Sequence, residues 1–155
     1  MWIFLWVFSI KNDILAKIIY DMDTCEEKKK LLLEMIAYAT VDGQLNKKGY
    51  DFLFLIANEL HFEKGGFIDL LSQELPPMPE NIKLGRIKQF YRLILFFQND
   101  GVLYKQDPEL IGHIAISMGL DLDATKVLLK KIKNAPNSTI SDEMLWNIFQ
   151  NDLDY

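Results

Sequence analysis

Residues that carry reactive chemistry are scarce in this chain. A single cysteine, Cys25, excludes an intramolecular disulfide and a thiolate cluster for zinc, which fits a reducing, cytoplasmic setting. The two histidines, His61 and His113, each stand alone. There is no G-x-x-x-x-G-K-[ST], no H-E-x-x-H and no G-x-S-x-G, so phosphate-loop, zincin and serine-hydrolase chemistry have no signature here. Positive charge is in deficit. With 17 Lys and Arg against 22 Asp and Glu the net charge is −5, a field that repels nucleic-acid phosphates. A run long enough to cross a bilayer is also missing, since a spanning helix needs about 20 apolar residues. The uncharged stretch Met1 to Ile10, MWIFLWVFSI, is too short. No Lys or Arg precedes it and no small-x-small site follows, unlike a secretory signal. Four readings of it stay open: packing on the domain or in a homodimer, a shallow membrane-surface anchor with Trp2 and Trp6 at the interface, translation starting at Met22, or a divergent signal.

What the chain does have is repetition. Leu31 to Leu71 aligns without a gap on Gln89 to Leu129, with identities at Ile36/Ile94, Asp42/Asp100, Gly43/Gly101, Leu45/Leu103, Lys47/Lys105, Ile56/Ile114, Ala57/Ala115, Leu70/Leu128 and Leu71/Leu129. Most other pairs agree in polarity, the mark of an internal duplication. Neither half can bury its apolar face alone, so one domain is expected. Half of the 155 residues are hydrophobic, and a chain of that size can bury roughly two-thirds of its unfolded surface.

Helical periodicity dominates and no period-2 stretch bounded by turns appears. Asn12 or Asp13 can cap a first helix carrying Ile14, Leu15, Ile18, Ile19 and Met22, and Thr24 with Glu27 makes a capping box for the next. Leu32, Met35, Ile36 and Ala39 form that helix's stripe, with Lys28, Lys29 and Lys30 read as a solvated face. Gly43 ends it and Leu45 plugs the corner. A helix from about Lys48 to Leu60 points Phe52, Leu53, Ile56, Ala57 and Leu60 inward. Gly65-Gly66 should break the chain before a short helix from Phe67 to Leu75, and Pro76, Pro77 and Pro79 form the linker. In the second copy Ile87, Phe90, Tyr91, Ile94 and Phe97 face the core, Asn99-Asp100-Gly101 closes the helix, and Pro108 opens the next over Leu110, Ile111, Ile114, Ala115 and Met118. Gly119 caps it. Asp121 or Asp123 starts a helix with Val127, Leu128 and Ile132 inward, and Ser138 or Ser141 starts the last, with Met144, Leu145, Ile148 and Phe149. The expected fold is all-α: seven to eight helices in two pseudo-symmetric repeats. Residues 1–23 hold the apolar segment and first helix. Residues 24–155 form one domain: repeat one 24–75, linker 76–79, repeat two 80–133 and a C-terminal helix 138–155.

A helix ending in small-x-Asp-Gly, an apolar residue two positions on, an acid early in the next amphipathic helix and a Leu-Gly-Leu-like corner all occur twice. Ala39, Asp42, Gly43, Leu45, Asp51 and Leu60 carry the pattern first, then Asp100, Gly101, Leu103, Glu109, Met118, Gly119 and Leu120. This resembles the TerB-like domain of tellurite-resistance proteins, over roughly Thr24 to Lys133. The resemblance implies an all-helical domain with pseudo-twofold repeats, a role in stress response or as an interaction module, and a cation site near the Asp-Gly corners. Some relatives in that family join the domain to a short membrane anchor, in keeping with the anchor reading of Met1 to Ile10. Where the family commonly has Glu seven residues after the Asp, this chain has Gly49 and Asp107.

Two readings of the acids follow. Asp42, Asp51, Asp100, Asp107 and Glu109 could hold a hard cation such as Ca²⁺ or Mg²⁺ if the copies pack about a twofold. Alternatively, Asp42 and Asp100 are turn residues beside Gly43 and Gly101, and the other acids oppose helix dipoles. An EF-hand is excluded, because the sixth and twelfth positions from Asp42 are Lys47 and Leu53. His113, aligned with Leu55, reads as a partly buried structural histidine. Trp2, Trp6 and Trp146 exceed what the repeat core needs, and read either as packing of the chain ends on each other or as an interface. The expectation is a non-enzymatic interaction or scaffold protein of the cytoplasm, acting through a protein partner or a homodimer, with no nucleic-acid partner and no cofactor. Its alternatives are a Ca²⁺- or Mg²⁺-binding protein, peripheral membrane association through residues 1–10, and a hydrolase with an unrecognised site.

Overall fold

The computed structural model describes residues 24–41, 43–99 and 108–150. The apolar run and the expected first helix, Asp42, Asp100, Gly101, Asp107 and the last five residues lie outside these. Seven α-helices and no strand occur among the described residues: α1 (24–39), α2 (Lys47–Glu59), α3 (Lys64–Leu71), α4 (Ile82–Asn99), α5 (Pro108–Ser117), α6 (Leu122–Asn134) and α7 (Asp142–Gln150). The protein is all-α.

α4 is the central helix: Ile87, Phe90, Leu93, Ile94 and Phe97, set along one broad stripe at steps of three and four residues, are each 0 % exposed. A side chain of this kind contributes roughly 1.5–3 kcal/mol on full burial. α1 lies antiparallel against α4, since its contacts run in reverse order. Lys28 Nζ stands 5.8 Å from the Phe96 ring centre, Glu34 Oε2 accepts from Arg92 Nη1 at 2.7 Å, and the Arg86 guanidinium stands 5.7 Å over the Tyr38 ring. Lys28 also donates to the Leu60 carbonyl at 3.4 Å, so it is more than a solvated charge. α7 packs on α4 and α6, and α3 on α2. Trp146 belongs to this packing. It is partly buried against the core, beneath Lys83, whose Nζ is 5.6 Å from its ring. Tyr91 Oη accepts the Ile140 N–H at 3.0 Å and ties the α6–α7 connection to α4.

Helix ends follow local chemistry. Asn46 caps α2 by accepting the Gly49 N–H at 2.7 Å, Asn81 accepts from Leu84 at 3.0 Å, Asp121 caps α6 by accepting from Ala124 at 2.9 Å, and Ser141 accepts from Met144 at 3.2 Å. α2 and α5 both end in a Schellman turn. His61 (φ 65°) and Gly119 (φ 75°) take the left-handed position, and the next amides, Phe62 and Leu120, donate to Ala57 and Ala115, each at 2.9 Å.

Some expectations fail locally. Gly65 and Gly66 sit inside the first turn of α3 rather than before it, and that helix stops at Leu71. Ser72 ends it, its hydroxyl donating to the Asp69 carbonyl at 2.8 Å. Ala39, Val127 and Met144 face outward. Val127 is 46 % and Met144 45 % exposed, because Ala124, Leu128 and Ile132 already fill the buried stripe of α6, and Leu145 and Phe149 that of α7. Among the described residues no helix is long and apolar enough to cross a membrane.

Candidate functional site

Four helices leave a cleft of about 1110 Å³ between them. α1 lines it with Met35, Tyr38 and Ala39, α2 with Lys48, Asp51, Phe52 and Leu55, α4 with Arg86 and Gln89, and α5 with His113, Ile116 and Ser117. Each set recurs at steps of three or four residues, so each helix offers one continuous stripe. Met118, Leu53 and the turn holding Asn46 and Lys47 complete the wall.

The floor is apolar and the charge around it is mostly positive. Met35, Leu53 and Met118 are buried, whereas Ile116 is 59 % exposed at the rim. Lys47, Lys48 and Arg86 face the cleft against one carboxylate, Asp51, in a chain whose net charge is −5. The N-terminus of α2 adds partial positive charge, and its first turn carries no acid to offset it.

Two polar side chains here make no hydrogen bond among the described residues, and of the two only Tyr38 Oη is sealed from solvent. Gln89 is 3 % exposed, lines the cleft, and makes no hydrogen bond among the described residues. Tyr38 Oη is fully enclosed and has no partner. Its ring lies so close to α4 that a Cβ on Gly85 would collide with Tyr38 Oη and come within 3.0 Å of Cζ. Glycine at 85 is therefore required by close approach. Burial raises the Tyr38 phenol above its usual range, the Glu34 carboxylate raises it further, and the Arg86 guanidinium opposes both.

Of the five acids expected to meet, Asp51 and Glu109 lie among the described residues. Asp51, the fifth residue of α2, is exposed at the cleft wall, outside the first turn where it would oppose the helix dipole. Glu109 does lie in the first turn of α5, is exposed, and does not line the cleft. Asp42, Asp100 and Asp107 lie outside the described residues, as does Gly101. Among the described residues no three His, Cys, Asp or Glu come together as a metal site. Gly43, with φ 137°, does take a backbone conformation that side chains resist. His113 is exposed and faces the cleft, where a partly buried structural role had been expected. Cys25 is exposed.

Sequence reasoning did not single out Tyr38, Arg86 or Gln89. One signal was available. Gln89 aligns with Leu31 at the 58-residue offset of the sequence alignment, a polar residue opposite an apolar one. Fold and cleft together define an all-helical protein with a cationic, apolar-floored surface cleft. Comparison with family models, curated proteins and solved structures finds no match for the chain.

Proposed function

We infer that the chain is an interaction module: two helical repeats form a rigid frame, and the cleft between α1, α2, α4 and α5 holds a segment of a protein partner. The observation that carries this is the cleft's composition, a buried apolar floor and the exposed Ile116 rimmed by Lys47, Lys48 and Arg86 on an acidic chain. Small-molecule sites run to about 300–1,000 Å³, so a cleft of about 1110 Å³ suits several side chains of a peptide. The resemblance to TerB-like domains points the same way.

The two-repeat frame has support of its own. Glu34 and Arg92, 58 residues apart, bond to each other, and 58 is also the offset of the duplication. Under that offset the Lys28–Phe96 contact becomes Arg86–Tyr38, and the turn at His61 becomes the turn at Gly119. These exchanges are what a twofold axis through the Glu34–Arg92 pair produces.

The test is to select binders from a random peptide display library on the purified chain and re-measure them on Ile116→Glu. Ile116 is exposed, so the substitution leaves the fold intact. Selected peptides should bind the wild type and lose at least tenfold on the variant. Peptides indifferent to Ile116→Glu, or no enrichment, would remove the cleft as the binding surface.

A further inference from the structure

We propose that Arg86 and Gln89 form a carboxylate-reading subsite within the cleft, so that the bound segment presents its C-terminal carboxylate beside an apolar residue. This rests on the cleft being the binding surface. The argument starts from what the duplication puts at equivalent positions. Leu31, 0 % exposed, packs in the core; its counterpart Gln89 is as deep, at 3 %, yet carries an amide with no hydrogen bond among the described residues. Its amide is not sealed off, as Tyr38 Oη is, but opens on the cleft, so a residue of this type in a leucine's place keeps a donor and an acceptor available there for a group arriving from outside. The cation one turn earlier differs in the same way. Lys28 donates to the Leu60 carbonyl at the end of α2, while its counterpart Arg86 reaches the end of α5 with no hydrogen bond or ion pair among the described residues. Its Nη1 would lie 3.4 Å from a Cβ on Gly119, and the Tyr38 ring supports the guanidinium from the α1 side.

Arg86 and Gln89 are three residues apart on α4 and therefore share a face. A planar guanidinium matches a planar carboxylate through two parallel N–H donors, and the Gln89 amide has a further N–H to offer. Lys48 adds charge to the cleft wall, while Met118 and Ile116 take the apolar neighbour. Charge complementarity thus selects an anion, planarity a carboxylate, and the floor an apolar flank.

The experiment is a titration of isotope-labelled protein, following the Gln89 side-chain amide and Arg86 Nε–H resonances. The probes are sodium N-acetyl-leucine, its neutral methylamide and sodium phosphate. N-acetyl-leucine should shift both resonances saturably, with the methylamide at least tenfold weaker and phosphate weaker than the carboxylate. Gln89→Leu, which installs the residue of the other repeat, should melt no lower than wild type and lose the response. Arg86→Gln, at a half-buried position, should lose it too and serves if Gln89→Leu does not fold. Equal binding of the methylamide, tighter binding of phosphate, absence of shifts, or an undiminished response in both variants would overturn the subsite. Cleft peptides that bind without any carboxylate would sink the subsite and leave the interaction module standing.

Discussion

Tyr38→Phe should make this protein more stable, although deleting a hydroxyl from a folded interior ordinarily weakens it. Tyr38 Oη is enclosed and unpartnered, and an unsatisfied buried donor costs about 1–3 kcal/mol relative to its hydrated state. Removing the oxygen relieves that cost and leaves a void smaller than a methyl group, whose penalty stays below about 1 kcal/mol. The net gain is about 1 kcal/mol, worth roughly 2–4 °C in Tm for a domain this size. Thermal and urea unfolding followed by far-UV circular dichroism would measure it. The variant should also lose an alkaline weakness. Because the folded phenol titrates above its ordinary value, the proton is held more tightly in the native state. Wild-type stability is therefore full below about pH 10 and falls as pH rises through the folded value, while the phenylalanine variant lacks this component. Gly85→Ala completes the case. It should destabilise by about 1–3 kcal/mol through overpacking, and less so in the Tyr38→Phe background, where the colliding oxygen is gone. A Tm that drops by several degrees in Tyr38→Phe would mean the hydroxyl has a partner, and the reasoning would fail.

At the two Schellman turns, His61→Gly should stabilise by about 0.5–1 kcal/mol and Gly119→Ala destabilise by about 1 kcal/mol, opposite signs at equivalent positions, read from Tm. A double-mutant cycle on Glu34→Gln and Arg92→Met should give a coupling of about 1 kcal/mol that shrinks in high salt, since both side chains are about a quarter exposed; zero coupling would remove the pair as a staple between α1 and α4. Asn46→Ala should cost about 1 kcal/mol by freeing the Gly49 amide, and an unchanged urea midpoint would argue that water replaces the cap. Asp51→Asn and Glu109→Gln should leave the Tm in millimolar Ca²⁺ or Mg²⁺ unchanged, because neither joins a cluster of three ligating side chains among the described residues; a metal-dependent shift abolished by either would favour the cation reading over the interaction module.

Much of the fold was legible because helix ends and stripes are local chemistry. Pro108 opens α5, Asp121 and Ser141 cap α6 and α7, and Gly119 closes α5, each where its own side chain or its lack of one decides. The apolar stripe of α4 was readable for the same reason. Val127 and Met144 were misplaced because an apolar residue beside a full stripe is not told from one within it until the neighbouring helix is known. The left-handed turn at His61 was missed because its glycine signal is absent: the turn is imposed by Phe62 reaching Ala57. The site was the least legible part. Tyr38 and Gly85 meet only through the antiparallel packing of α1 on α4, and His113 turns outward because the cleft, rather than the core, borders that face of α5. The acids that drew attention are conspicuous in sequence; Gln89 is conspicuous only once its depth is known.

The hydrogen bond from the Ile140 amide to Tyr91 Oη has a use as a clock. Ile140 precedes α7 outside any helical ladder, so its proton is protected by that side chain rather than by a turn of backbone bonds. Lifting α7 from α4 exposes it while the remaining helices stay paired. Its exchange with deuterium, compared with that of amides in the middle of α4, therefore times the departure of one helix separately from the unfolding of the whole.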